Sequence, residues 1–492
     1  MPLASDLQDA LREFSAAGPA ELRDNGARVA PLSTLSWEVR GNSEKPLLHL
    51  WSENHNLTRR VLAITDHSEQ RLALAVECFG RSRPDRLEFL RVEFARSPVE
   101  LSRDALAQDV QRLCQREFPD DSLEALSTAA DLEHSLSGNF VRGVLRRARE
   151  AWALFVVPDF QQAHDAARCL TFALLWFDRL QQTAERRAIS GLRIILPSAS
   201  AAPLAQLLAA LRSDLRVELF ARHAVMETLQ KIEPSEAANF SSRLVPARES
   251  QALLCRASQE IETLLPAECE AISLHANVGA REVIVRFRGL SCLRWHESGV
   301  FFGVRDMKTR LQPGNAKHVH AMFRELETYR HPLASDVRRP LFRMQPERWL
   351  EFLIRQDVTR VDATLEQQFA YTQVLAASGT EHGILDVLTA TRCGRLAILE
   401  LKASEDPVFL LQSVKYWLRI KRHAEQGDFL RCGYFPSITL QPAPPLIYLV
   451  GPALRFHPAT SALLRYLHTQ IEVIRVGLAE SWRRGLTVVL RQ

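Results

Sequence analysis

Between residues 30 and 100, apolar and polar positions alternate in short runs, LSWEVRG, LLHLWSE, RRVLAITD, LALAVECF and LEFLRVEF, broken by SEQ and SRPD. Alternation with period two between polar breaks predicts strands joined by hairpins. Residues 1–120 are therefore expected to form a β-rich, mostly antiparallel N-terminal region. From about residue 120 the rhythm changes. WALFVV, LRIILP and RVELFA read as buried strands, and AHDAARCLTFALLWFDRLQQ and APLAQLLAALRSD between them carry helical spacing. Strands alternating with helices predict a parallel α/β layer, placed at 121–335. REVIVRFRGL and GVFFGVRD add a hairpin, AMFRELETYR a helix, and RHPLASDVRRPLFRMQP a Pro-bearing link that sets a boundary near residue 335. The expected fold class is a multidomain α/β chain with a last domain at 336–492.

Composition narrows the function classes. A length of 492 residues suits several domains. The net charge of +4, from 62 basic and 58 acidic residues, excludes a polycation, so any nucleic-acid affinity must come from local segregation of charge. Only seven of the basic residues are lysine, a skew that with abundant Ala points to a GC-rich, bacterial genome. Eight scattered cysteines without a CxxC pair argue against a zinc ribbon, a dithiol site or a disulfide scaffold. Reduced thiols, the absence of a signal-like start in MPLASDLQDALREF and the absence of an 18-residue apolar run lead to an expected cytoplasmic location with no membrane association. The turns expected after LRIILP (SASAAP) and WALFVV (PDFQQ) lack a glycine-rich phosphate loop, which disfavours a nucleotide site there. His318 and His320 are expected on one face of a strand, but no third zinc ligand accompanies them. Trp349, Trp417 and Trp482 are expected in the core.

The chemistry concentrates in GILDVLTATRCGRLAILELKASEDPVFLLQSVKYWLRIKRH, residues 383–423. ILDVLTAT and RLAILELKA are strand-like, and the glycine of RCGR suits a tight turn. Asp386 and Glu400 are equidistant from Cys393, so a hairpin turning there brings them together, allowing for a one-residue bulge. Lys402 lies two residues beyond Glu400 and shares its face. Two carboxylates and an ammonium amid apolar residues are costly to bury unless the carboxylates hold a cation. Hard oxygen donors suit Mg²⁺ or Mn²⁺, held by Asp386 and Glu400. Such an ion polarises a phosphoryl oxygen and acidifies water, while Lys402 orients that water or neutralises charge, so phosphodiester hydrolysis is the expected chemistry.

Downstream, Asp406 and Pro407 read as the N-cap and first residue of a helix. On it, Gln412 and Tyr416 share a face, and Lys415, Arg419 and Arg422 form a neighbouring basic stripe. After Pro407 there are 11 basic and 4 acidic residues, so the positive excess gathers beside the expected site, where a nucleic-acid backbone would lie.

The order Asp386, Glu400-Leu-Lys402, Gln412-x-x-x-Tyr416 resembles the PD-(D/E)XK nuclease superfamily, in its RecB-like branch, and GILDVLTATRCGRLAILELK is similar to the corresponding hairpin of the NucS-type endonucleases. The likeness covers about residues 340 to 450, and no proline precedes Asp386. It implies a restriction-endonuclease-like αβββαβ core, a catalytic set of Asp386, Glu400, Lys402, Gln412 and Tyr416, and a helix glutamate from PERWLEFLIRQD. Glu347 matches that position by its E-x-x-L pattern, with Glu351 one turn later as the competitor. The expectation is a metal-dependent nuclease acting on DNA in repair, restriction or defence. Residues 1–335 would recognise a DNA structure, a protein partner or a second copy of the chain. The alternative is a catalytically silent nuclease fold that binds nucleic acid or protein.

Overall fold

The computed structural model describes the chain apart from residues 1–3, 19, 25–26, 41–45, 53–55, 78–84, 92–97, 132, 149, 159–164, 184–188, 224–227, 235–241, 267–268, 305–308, 373 and 375–384. Those residues include most of the PDFQQ turn and of the SRPD break, so both lie outside the described residues. Two compact units emerge, Met1–Leu106 and Ala107–Gln492. The helix α2 (Pro98–Glu117) carries the division between them.

In the first unit, helix α1 (Ala4–Ala16) precedes β1 (Ala20–Asp24), β2 (Ala27–Pro31), β3 (Ser36–Arg40), β4 (Leu47–Trp51), β5 (Asn56–His67), β6 (Arg71–Glu77) and β7 (Asp85–Arg91). These strands form one antiparallel sheet in the order β2-β1-β7-β6-β5-β4-β3. Alternate positions such as Leu72, Leu74 and Val76 meet Leu7, Leu11 and Phe14 of α1 in a single core, as the period-two pattern requires.

Among the described residues the second unit contains three sheets. The strands β8 (Ser122–Ser127), β9 (Val141–Arg147), β10 (Glu150–Val156), β11 (Ile189–Pro197), β12 (Val217–His223) and β13 (Thr228–Ile232) run in the order β13-β12-β11-β10-β9-β8. Only β10, β11 and β12 are mutually parallel, connected through α3 (Ala166–Thr183) and α4 (Ser198–Leu208). The expected parallel layer is thus parallel at its centre and antiparallel at its margins. SASAAP is not a turn but the start of α4, because its alanines favour helix as soon as strand pairing ends.

Residues 247–329 depart further from the expected layer. After α5 (Ala247–Ile261), the strands β14 (Ile272–Asn277), β15 (Glu282–Phe287), β16 (Leu290–His296), β17 (Gly299–Phe302) and β18 (Thr309–Arg310) form an antiparallel meander. Helices α5 and α6 (Ala316–Tyr329) supply Ala257, Ile261, Val319 and Phe323 to its core. His318 and His320 lie exposed on α6 rather than on a strand. The reason is the spacing of Val319, Phe323 and Leu326, whose common burial demands a helix.

The boundary expected near residue 335 falls inside the second unit, in the segment before the short helix α7 (Pro340–Arg343) and helix α8 (Pro346–Gln356). Then come β19 (Val387–Ala390), β20 (Leu396–Leu401), α9 (Phe409–Glu425), the short α10 (Asp428–Arg431), β21 (Leu446–Pro452), α11 (Ala459–Leu464), β22 (Val473–Leu478) and β23 (Val488–Arg491). The sheet order is β19-β20-β21-β22-β23, with β20, β21 and β22 parallel. Bridges from Leu365 to Thr391 and from Tyr371 to Leu388 add a partial sixth strand beside β19.

Each face of this sheet has its own core. Trp349, Leu350 and Ile354 of α8 pack on Ala397, Leu399 and Leu401 of β20. On the other face, Leu396 and Ile398 meet Leu410, Val414 and Trp417 of α9 in a core that continues through α3 and α4 into the β8–β13 sheet. Helix α9 is consequently buried on nearly all sides. All three tryptophans are core residues, Trp349 meeting Trp482 edge to face.

Candidate active site at the end of β20

The hairpin β19–β20 turns about Cys393. Val387 pairs with Leu399 and Ala390 with Leu396, so Asp386, one residue before β19, stands opposite Glu400 without a bulge. The tight turn depends on Gly394, whose φ is +89° and where a Cβ would lie 2.1 Å from the Thr439 carbonyl oxygen. By strand alternation Asp386 and Glu400 share the α9 face with Leu388 and Ile398.

Both carboxylates are buried. The Oδ2 of Asp386 accepts the Leu401 backbone N–H at 3.0 Å, and its Oδ1 lies 3.3 Å from Nη1 of Arg348. The Oε2 of Glu400 is buried with no hydrogen-bond partner among the described residues. Burial pushes the Asp386 carboxyl up to about 6, with Arg348 opposing and Glu351 reinforcing the shift. Burial, then the charge of Asp386, pushes Glu400 well above the usual carboxylate range. An orphaned oxygen beside a second carboxylate fits a hard divalent cation, which would supply the missing partner and remove the repulsion. Among the described residues no group of three or more His, Cys, Asp or Glu forms a metal cage. The candidate donors are therefore the two carboxylates, with coordination positions left over.

These groups open on a cavity of about 490 Å³ lined by Glu347, Asp386, Glu400, Lys402, Gln412 and Tyr416, together with Arg286, Ser291, Gln345, Arg348 and Leu401. All six side chains singled out from the sequence as catalytic are gathered here. Lys402 is held by Asp406 at 2.9 Å; burial opposes its charge, but Asp406 together with Glu400 and Asp386 outweighs burial and the ammonium's pKa is raised. Tyr416 is raised by burial and then by Glu400, and Gln412 hydrogen-bonds its hydroxyl. Asp406 does not cap α9 directly: its Oδ1 accepts the Val408 N–H, and the helix begins at Phe409. Pro407 occupies a turn before the helix, which frees Asp406 to hold Lys402.

Helix α8 presents two glutamates. Glu347 lines the cavity, and its Oε1 accepts the Ala403 N–H at 3.4 Å. Glu351 is more deeply buried and shares Nη1 of Arg348 with Asp386. Both turn inward, Glu351 into the charge cluster around Asp386 and Glu347 toward the end of β20.

The basic stripe of α9 is not a solvent-facing row. Arg419 is buried and the Lys415 ammonium lies 3.3 Å from Asp165, because α9 is enclosed between β20 and α3. Arg422 is half-buried.

Residues that the sequence did not single out complete the cavity. Arg286 and Ser291 come from the antiparallel meander, and Gln345 precedes α8 with a left-handed φ of +46°. Gln345 Oε1 accepts the Ser291 N–H at 3.4 Å. The meander reaches α8 through Gly289, with φ +79°, where a Cβ would fall 2.0 Å from the Arg348 carbonyl oxygen. The buried Arg330 guanidinium pins this arrangement, donating to the carbonyls of Arg288, Leu341 and Met344 and lying 4.6 Å from the Trp349 ring. Arg348 had a local signal, its i,i+3 spacing from Glu351. Arg286 had none, since nothing in REVIVRFRGL ties it to a hairpin far along the chain.

No family model matches the chain. No curated protein matches it either. Among solved structures, a repair endonuclease from Pyrococcus abyssi aligns with 40% of this chain and 87% of its own, at 10% identity and a TM-score of 0.15, too loose a superposition to argue from. No helix among the described residues is long and apolar enough to cross a membrane.

Proposed function

We propose that the chain is a metal-dependent nuclease of PD-(D/E)XK type, hydrolysing phosphodiester bonds of DNA with Mg²⁺ or Mn²⁺. The observation that carries this reading is the buried, unpartnered Oε2 of Glu400 directly across the hairpin from Asp386, in a cavity that also holds Lys402. Asp386 and Glu400 would hold the cation, which supplies Lewis acidity toward a phosphoryl oxygen and toward water. Lys402, fixed by Asp406, stays protonated and orients the attacking water or neutralises charge on the phosphate. Tyr416, kept as a neutral phenol by burial, and Gln412 beside it order the floor of the cavity. A helix glutamate, Glu347 or Glu351, assists the water.

The test is incubation of the full chain with single-stranded, duplex and branched DNA and with RNA, with and without Mn²⁺. Cleavage that requires Mn²⁺ and disappears in Asp386→Ala and Lys402→Met is expected. One observation favours a second reading, a silent nuclease fold: both oxygens of Asp386 already have donors, Leu401 N–H and Arg348. Calorimetry with Mn²⁺ separates the two, since a silent fold gives no binding heat that Glu400→Ala abolishes.

A further inference from the structure

We infer that Arg286 is the phosphate-holding residue of this cavity, so that the antiparallel meander β14–β18 forms one wall of the site. The inference rests on the nuclease reading for the nature of the anion, a phosphodiester or terminal phosphate of the substrate. Its structural basis is the burial of Arg286, its own contacts and its place in the cavity lining.

Arg286 projects from β15 into the cavity lining and is 7% exposed. Its Nη1 lies 3.3 Å from His275 Nδ1 and 3.5 Å from Glu351 Oε1, and its Nε is buried with no partner among the described residues. The surroundings are rich in cations. Arg348 and Arg355 crowd the same guanidinium, and one carboxylate, Glu351, is the counter-charge closest to all three. Glu351 is also engaged by Arg348. A buried guanidinium that shares one counter-ion with neighbouring arginines is costly as a purely structural element. It is well placed when an anion enters the cavity, because guanidinium N–H groups match phosphate oxygens in pairs.

The work is divided between two sheets. Asp386, Glu400 and Lys402 belong to the β19–β20 hairpin and its end, and Arg286 reaches the same cavity from β15 of the meander. Metal and phosphate would therefore be held by residues of different sheets. The wall is held in register by the close approach of Gly289 to α8 and by Arg330. Arg286 would be a specificity-determining and positioning group: it selects a phosphate and fixes it, while the chemistry belongs to the other wall.

The experiment measures binding of thymidine 3′,5′-bisphosphate to the full chain in Ca²⁺, which supports binding without turnover, alongside Ca²⁺ binding itself. Arg286→Gln is expected to weaken the nucleotide at least tenfold with Ca²⁺ affinity within twofold of wild type. Arg286→Lys is expected to recover part of the loss, and added ethylguanidinium should rescue Arg286→Ala; urea midpoints report whether each variant is folded. Equal nucleotide affinity in wild type and Arg286→Gln, or no nucleotide binding by the wild type, overturns the proposal. Arg286-dependent binding in a protein that never cleaves DNA and whose Ca²⁺ affinity is indifferent to Glu400→Gln overturns the nuclease reading and leaves the anion site standing.

Discussion

Two sheets of the second unit follow one plan and put buried charge to different uses. In β8–β13 and in β19–β23, three parallel strands lie between antiparallel neighbours, and the two sheets share a core through α3, α4, α9 and α11. The first carries a charge on its middle strand, Arg193 of β11, and that charge is fully answered. Asp121 and Glu218 bind the guanidinium, Lys231 also engages Glu218, and Phe118 and Trp152 stack on the cation. The second carries Glu400 on β20, opposite another carboxylate, with one oxygen left unpartnered. A satisfied network rigidifies a fold; an unsatisfied pair holds a place for something that arrives later.

The largest expected effect breaks the second sheet's function without touching the first. Glu400→Ala or Asp386→Ala should lower DNA cleavage by about 10³-fold or more, since these groups serve the transition state. Arg193→Met should leave the rate within a few-fold. Equal losses in initial-rate assays would show that the two charges do the same work.

Stability should reverse the order. Arg193→Met leaves Asp121 without its guanidinium and Glu218 with Lys231 alone, and is expected to cost about 1–3 kcal/mol in urea unfolding. Glu400→Gln removes a buried carboxyl with one oxygen unpartnered among the described residues and should stabilise the cation-free protein by about 1 kcal/mol. A destabilised Glu400→Gln would mean that the carboxylate is structural.

A pH profile sharpens the contrast. The Asp386 pKa is raised in the fold to about 6 from a carboxylate value near 3.9 in the unfolded chain. Its contribution to stability is complete below the unfolded value and is lost as pH rises through about 6. Mn²⁺ binding, which needs the ionised form, should strengthen over the same window. Asp386→Asn should flatten both curves in calorimetry and urea titration.

Smaller effects are expected at the hairpin turn and on α9. Gly394→Ala forces a Cβ against the Thr439 carbonyl at positive φ and should cost about 1–3 kcal/mol in thermal unfolding. Lys415→Gln should change DNA affinity less than twofold in fluorescence anisotropy, since that ammonium is turned to Asp165.

The legible parts of the molecule were those encoded locally. The hairpin could be read because its two carboxylates lie at equal distances from one short turn, and α8 and α9 because their apolar spacing survives in sequence. The meander was read only as a hairpin, since β14 and β18 carry weak alternation. The burial of Arg419 escaped because helical spacing shows which residues share a face, not how many faces will be covered. Arg286 escaped for a different reason: its place in the cavity is created by tertiary contacts between the Gly289 turn and α8.

That last contact bears on the order in which the protein assembles. Hairpin β19–β20 closes a short loop and can form early, whereas the Gly289 turn must find α8 across a longer stretch of chain. An assembly in that order would bring Asp386 and Glu400 face to face before the meander docks, and because Arg286 and Ser291 of the meander line the same cavity, docking at Gly289 would complete the wall around them.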